Sequence, residues 1–183
     1  MLEGSSKPRP DLKPEDAEAL AELPQVEAVS MSQALFGPSG GGFNLSHGLK
    51  RAFVFTLSGV DERYDEVAGV ELERGRFFTS DDVFYKRRVC VIGATIAEKL
   101  FEGEEPVGAD IRIEGRRFKV VGLLKKRGQL LGQDLDNVVL VPLSTGKALF
   151  GGGGRGIFRR YRSPTILVKV RQGVPMDEAK EAV

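Results

Sequence analysis

Apolar residues are patterned most tightly between positions 88 and 124. Val89-Cys90-Val91-Ile92 is a continuous apolar run of strand length. After Gly93, apolar positions recur at helical spacing through Ala94, Ile96, Ala97, Leu100 and Phe101, which predicts a helix over 94–101. Pro106-Val107-Gly108 punctuates the chain, and the stretches 109–114 and 116–124 read as paired strands. Glu114-Gly115 between them fits a two-residue hairpin turn.

The flanking sequence is read in the same way. Residues 1–9 form a flexible arm or vector residues, and a helix is expected over about 14–23, where Pro14 suits the first turn and Glu15 and Asp16 favour its positive end. Alternation at Val26, Ala28 and Met31 predicts a strand over 26–35. A Gly-rich loop is expected at 37–48, followed by a strand near 50–58 that carries Ala52, Phe53, Val54 and Phe55. The stretch 59–82 reads as irregular, with one helical turn at 62–68. Further on come a polar loop at 126–136, a short strand at 138–141, a helix at 142–150, a second Gly-rich loop at 151–156 and a strand at 165–170. Pro175 opens a last helix that stops at Val183 after fewer than three turns, so the natural chain is expected to continue. Ten of the 23 glycines fall in the two Gly-rich loops, which concentrates backbone freedom there.

Composition narrows the function classes only a little. A chain of 183 residues with 41% hydrophobic and 29% charged content suits one globular domain, or one domain with an insertion. Its single cysteine, Cys90, excludes an intrachain disulfide and reads as a small buried hydrophobe. A net charge of +1 gives no global attraction to nucleic acid or to a membrane surface. No apolar run reaches the roughly 18–20 residues that span a bilayer.

Candidate chemistry is thin. Gly37-Pro38-Ser39-Gly40-Gly41-Gly42 has the glycine spacing of a phosphate-binding loop, but Phe43 and Asn44 stand where such a loop needs Lys and then Ser or Thr. His47, the only histidine, lies in a Gly-rich stretch and lacks the convergent ligands of a metal site or the rigid frame of a catalytic triad. The acid pairs Asp81-Asp82, Glu104-Glu105 and Asp134/Asp136 read as surface or capping groups, although Asp134-Leu135-Asp136-Asn137 could hold calcium weakly. No catalytic, cofactor-binding or metal-ligating residue is assigned. Basic clusters at Lys86-Arg87-Arg88, Arg116-Arg117, Lys125-Lys126-Arg127 and Arg159-Arg160 with Arg162 could line one positive face. Phe158 and Tyr161 interleave with the last cluster, so a single-stranded nucleic-acid-binding domain using basic strand edges stands as the alternative reading. A hydrolase or isomerase with its site on the loops is a third.

An ordered set of segments carries a family resemblance. It comprises Val26-Glu27-Ala28-Val29 after an acidic helix, Gly59-Val60-Asp61 followed by Tyr64, and Leu72-Glu73-Arg74-Gly75-Arg76-Phe77-Phe78. It continues through Val91-Ile92-Gly93, Leu100-Phe101, Pro106-Val107-Gly108, Phe118-Lys119-Val120-Val121-Gly122, Val139 to Pro142 and Ile166 to Val170. Over residues 14–183 the chain resembles the extracytoplasmic (periplasmic core) domain of MacB-like and FtsX-like ABC transporter permeases.

The resemblance implies a mixed α/β fold. A porter-like βαβ subdomain would be built from both chain ends (10–50 plus 145–183), and a sabre-like mixed α/β subdomain (51–144) would be inserted in it. A first strand would be expected before the helix at 14, and the Pro-containing arm is a weak candidate. It also implies a non-catalytic domain outside the cytoplasm of a membrane-anchored permease, needing no cofactor and binding no nucleic acid. Such a domain would couple cytoplasmic ATP hydrolysis to export or extraction of substrate through shape change and protein contact. Its partners would be an ABC ATPase subunit or domain and an adaptor or second permease copy. Phe36, Phe43 and Leu45 are the contact residues expected at the tip of the first Gly-rich loop, if they do not pack back onto the sheet.

Overall fold

The computed structural model describes residues 12–37, 41–151, 164–175 and 177. The expected strand before the first helix, the second Gly-rich loop beyond Gly151 and nearly all of the last helix lie outside these residues. The first helix, α1 (Pro14–Ala21), opens where the Lys13 backbone N–H donates to Asp16 Oδ2 at 2.7 Å. It leads into β1 (Val26–Leu35).

The expected loop at 37–48 is half strand. Phe43 and Leu45 alternate with Asn44 and Ser46 in β2 (Phe43–His47), which turns at Gly48-Leu49 into β3 (Lys50–Val54). Gly48 takes the positive φ, 55°, that this turn needs. Phe55 interrupts the run into β4 (Thr56–Val60). Leu35 pairs with Leu57, and Phe43 pairs with Val54. The stretches β1–β2 and β3–β4 therefore form one long antiparallel ribbon, bent at residues 36–42 and at Phe55.

The stretch read as irregular contains α2 (Tyr64–Ala68), β5 (Leu72–Gly75) and α3 (Ser80–Phe84). Then follow β6 (Val89–Ile92), α4 (Ala94–Phe101), β7 (Asp110–Ile113) and β8 (Arg116–Leu124). Glu114 and Gly115 both adopt positive φ, 47° and 78°, so the predicted two-residue turn is present. The expected polar loop 126–136 is a second small hairpin, β9 (Gln129–Leu130) and β10 (Gln133–Asp134). The described elements close with β11 (Val138–Pro142), α5 (Leu143–Phe150) and β12 (Thr165–Val170).

The strands join in the order β12-β1-β4-β11-β6-β8-β7-β2-β3, with β5 on the far end of β8. Pairs β4–β11 and β6–β8 are parallel, and the others are antiparallel. Since β4 borders β11 while its continuation β3 lies beyond β7 and β2, the sheet curls back toward itself. One apolar cluster fills the curl. It draws Ile96, Leu100 and Phe101 from α4, Phe150 from α5, and Phe43, Leu57, Ile111, Phe118 and Val139 from the strands. A second cluster lies on the opposite face, where Phe77, Phe78, Tyr64, Val70 and Leu72 of the 61–88 segment cover Val89, Val91, Val121 and Leu140. Burying large apolar side chains on both sides of a sheet is the main favourable term for such a fold. Within this sheet β2 pairs with β3 and β7 of the 51–144 stretch, while β1 bridges β12 and β4.

Candidate functional site

Groups that could do chemistry are engaged in holding the backbone. Asp82 is fully buried, and Thr79 and Asp82 cap α3 reciprocally: the Thr79 N–H donates to Asp82 Oδ2 at 3.1 Å, and the Asp82 N–H to Thr79 Oγ1 at 3.3 Å. Arg76 Nη1 reaches the same carboxylate at 2.6 Å, and Arg87 Nη1 approaches Oδ1 at 3.4 Å. Burial pushes this carboxyl up, but the Arg76 guanidinium and the Thr79 N–H outweigh it and hold Asp82 below the usual carboxylate range. Its neighbour Asp81 is exposed and stands 3.8 Å from Arg87.

The other acid pairs behave alike. Glu105 accepts the Val107 N–H at 3.0 Å and Arg74 Nη1 at 2.7 Å, bracing the Pro106-Val107-Gly108 turn. The buried Asp136 accepts the N–H groups of Arg127 and Gly128, both at 2.8 Å. Asp134 accepts the Asp136 N–H at 2.9 Å and the Thr95 hydroxyl at 2.9 Å. The stretch suggested for weak calcium binding is thus a backbone clasp at the base of the β9–β10 hairpin. Among the described residues no group of three or more His, Cys, Asp or Glu is placed to hold a metal ion.

His47 sits at the end of β2, its ring tilted against Phe101 at 4.5 Å and its Nδ1 2.8 Å from the Asp110 carbonyl. Cys90 is fully buried, and burial pushes its thiol far up.

Among the described residues, several members of the basic clusters stand beside acids. Lys125 pairs with Glu71 at 2.5 Å and Lys126 with Glu98 at 2.8 Å, while Arg117 stands 3.7 Å from Asp110. Arg116 lies over the Phe150 ring at 5.2 Å. Arg159, Arg160, Arg162, Phe158 and Tyr161 lie outside the described residues.

Of the three expected contact residues, two must be withdrawn. Phe43 and Leu45 are 0% and 1% exposed, and both belong to the core inside the curl. Phe43 packs edge-on against Phe150, 5.1 Å between centroids. Their spacing of two put them on the inward face of a strand, and the neighbouring glycines obscured it. Phe36 is half-buried at the ribbon bend.

The exposed apolar surface lies elsewhere. Phe55 is 74% exposed and packs against Phe53 in a T-shaped pair, 4.8 Å apart. Leu49 at the β2–β3 turn, Leu131 at the β9–β10 turn, and Phe84 with Tyr85 after α3 are also turned outward. Leu131 takes a left-handed φ of 50° at the tip of its hairpin, followed by Gly132 at 79°. The only hint of this in the sequence was Leu131-Gly132 at a two-residue turn spacing.

Comparison with known proteins sets this scaffold in context. The family model for the MacB-like periplasmic core domain matches residues 2–183. A macrolide export ATP-binding/permease protein MacB of Chlorobium luteolum is 33% identical over 183 residues, covering 98% of this chain and 26% of that protein. Its counterpart in Rhodospirillum rubrum is 32% identical over 177 residues, 94% of this chain and 25% of the relative. The chain therefore spans about a quarter of the length of these relatives. Among solved structures, the periplasmic region of MacB from Actinobacillus actinomycetemcomitans superposes with a TM-score of 0.72 at 26% identity, over 94% of this chain and 71% of that one. The extracellular domain of the ABC-type transporter YknZ from Gram-positive bacteria shares the fold, with a TM-score of 0.69 at 23% identity over 93% of this chain and 78% of that one. Among the described residues no helix is long and apolar enough to cross a membrane. The chain belongs to the MacB-like periplasmic core domain family, the extracytoplasmic domain of MacB-like ABC transporter permeases.

Proposed function

We propose that this domain works without bond chemistry, relaying ATP hydrolysis in the cytoplasm to movement of a substrate outside it. It does so by moving as a body and by touching protein neighbours. The observation that carries this reading is the family membership, joined to a scaffold whose buried carboxylates brace backbone turns. An allosteric relay of this kind needs a stiff body with contact surface at its margins.

The proposed partners are an ABC ATPase subunit or domain acting through the membrane part, and an adaptor or a second permease copy acting directly. The contact surface assigned here is the ribbon bend: Phe55 and Phe53, with Phe36 beside them. The Gly37 N–H donates to the Gly41 carbonyl at 2.9 Å, and Gly42 lies close against the Phe53 ring. The division into a porter-like part of both chain ends and a sabre-like insertion is retained as a proposal, with β2 moved to the insertion because its partners are β3 and β7.

The test uses the full-length permease. Phe55→Ser is expected to leave expression and ATP binding unchanged while lowering export of a reporter substrate. Export equal to wild type would remove the ribbon bend from the mechanism. Catalytic turnover of a substrate by the isolated domain would refute the non-catalytic reading itself.

A further inference from the structure

A cavity of about 330 Å³ opens on the outer face of the sheet, between the turn after α2 and the loop that follows β8. Its floor is apolar, with Leu124 and Leu140 buried and Val70, Val138 and Tyr64 half-buried, all members of the second core cluster. Its walls are fixed by backbone hydrogen bonds. The Val70 N–H donates to the Asp65 carbonyl at 2.8 Å and the Lys125 N–H to the Glu71 carbonyl at 3.0 Å. Opposite them, the Asp136 carboxylate holds the N–H groups of Arg127 and Gly128. The space thus exists before any ligand arrives, and its volume is at the small end of the range for ligand sites.

The lining carries three cations, Lys125, Lys126 and Arg127, against two carboxylates, Glu71 and Asp136. Asp136 has committed its carboxylate to the backbone, Glu71 is paired with Lys125, and Lys126 is paired with Glu98. Arg127 lines the cavity, and among the described residues its guanidinium forms no ion pair with a carboxylate. It does act on the Tyr64 phenol. Burial pushes that hydroxyl up and the nearby cation pulls it partly back, so the phenol is protonated at neutral pH. An apolar floor beneath one unpaired cation is complementary to a ligand with a hydrocarbon body and a single negative head. A cationic amphiphile would meet Arg127, and a wholly polar anion would leave the floor unused.

We propose that this cavity binds an amphipathic anion, a single hydrocarbon chain ending in a carboxylate, with the chain on Leu124, Leu140 and Val70 and the head at Arg127. The proposal does not depend on the relay reading, because the isolated chain suffices for its test.

The probe is decanoate, titrated below its micelle concentration into this chain and followed by calorimetry and amide NMR. Saturable binding is expected, with Kd on the order of 0.1–1 mM for a small ligand in a shallow site. Shifts should be confined to residues 64–71, 124–127 and 135–140. Arg127→Gln keeps the backbone N–H that Asp136 holds, so the fold should be unchanged, with a melting temperature equal to wild type. It should weaken decanoate about five- to tenfold, as loss of one charge-assisted contact does. Decyltrimethylammonium, with the same chain and the opposite charge, should bind at least about tenfold more weakly than decanoate. Equal affinity for the two amphiphiles, an unaffected Arg127→Gln variant, shifts spread over the whole surface, or no saturable binding would each overturn the assignment.

Discussion

Replacing Asp82 with asparagine isolates what the 76–87 segment contributes. The substitution keeps the shape of the side chain and removes the charge that Arg76 and Arg87 share at 2.6 and 3.4 Å. Breaking a fully buried ion pair costs about 3–5 kcal/mol, because one charge is left without compensation. Here the carboxylate is 0% exposed while the two arginine side chains are 47% and 49% exposed. Both guanidinium groups can return to water, so the expected loss falls to about 2–3 kcal/mol. For a chain of this size that lowers Tm by roughly 5–10 °C.

The pH dependence follows from the direction of the Asp82 shift. Its carboxyl is held low in the folded state, so its contribution is complete above the ordinary aspartate value near about 3.9 and disappears as pH falls through the lower folded value. Thermal melts by circular dichroism at pH 7 and across the acid range below about pH 4 give the test. Wild type should lose its advantage over Asp82→Asn as the acid is protonated. A variant melting within about 2 °C of wild type at pH 7, or a gap that stays constant on acidification, would refute the reasoning.

Other expectations follow from single contacts. A Cβ on Gly93 would stand 2.1 Å from the Asp136 carbonyl oxygen, so Gly93→Ala should cost about 2–3 kcal/mol in a urea titration although its φ of −81° suits alanine. Phe43→Ser should cost about 4 kcal/mol by opening the core beside Phe150. Phe55→Ser should change the stability of the isolated domain by less than about 0.5 kcal/mol, so the same urea titration separates core from contact surface. Cys90 should resist thiol reagents in the native state and react on unfolding, since it is fully buried and burial disfavours its thiolate.

How much of this was legible in the sequence depended on whether the signal was local. α4, β8 and the Glu114-Gly115 turn followed from periodicity and turn chemistry, which neighbouring residues carry by themselves. β5 escaped because Leu72-Glu73-Arg74-Gly75 has one apolar residue and becomes a strand only by pairing with β8. β2 escaped because glycines on both sides hid a two-residue alternation. The faces of the ribbon were also illegible. Phe53 and Phe55 share one face and Val54 the other, and in the fold the valine is buried while both phenylalanines are outside. Composition favours the opposite choice, and only the register with β2 decides it.

The segments that carried the family resemblance turn out to hold the fold together. Asp61 of the Gly59-Val60-Asp61 segment accepts the Ser30 hydroxyl at 2.6 Å and the Met31 N–H at 2.5 Å, tying the start of α2 to β1. Arg76 serves the Asp82 clasp, Phe77 and Phe78 fill the second core, and Gly93 lets α4 begin against the Asp136 backbone. A family recognised by such residues is recognised by its frame. That agrees with the proposal of a body that transmits displacement.

The central claim is that the domain moves as a unit when nucleotide is bound and hydrolysed. Spin labels at Leu131→Cys, an exposed site away from the proposed contact surface, on two copies of the full-length permease address it directly, because the buried Cys90 will not take the label. Pulsed electron–electron distance measurements should give different distributions for the nucleotide-free and ATP-trapped states, while a label pair within one copy, at Leu49→Cys and Leu131→Cys, keeps a constant separation. Inter-copy distances that are the same in every nucleotide state would contradict the account.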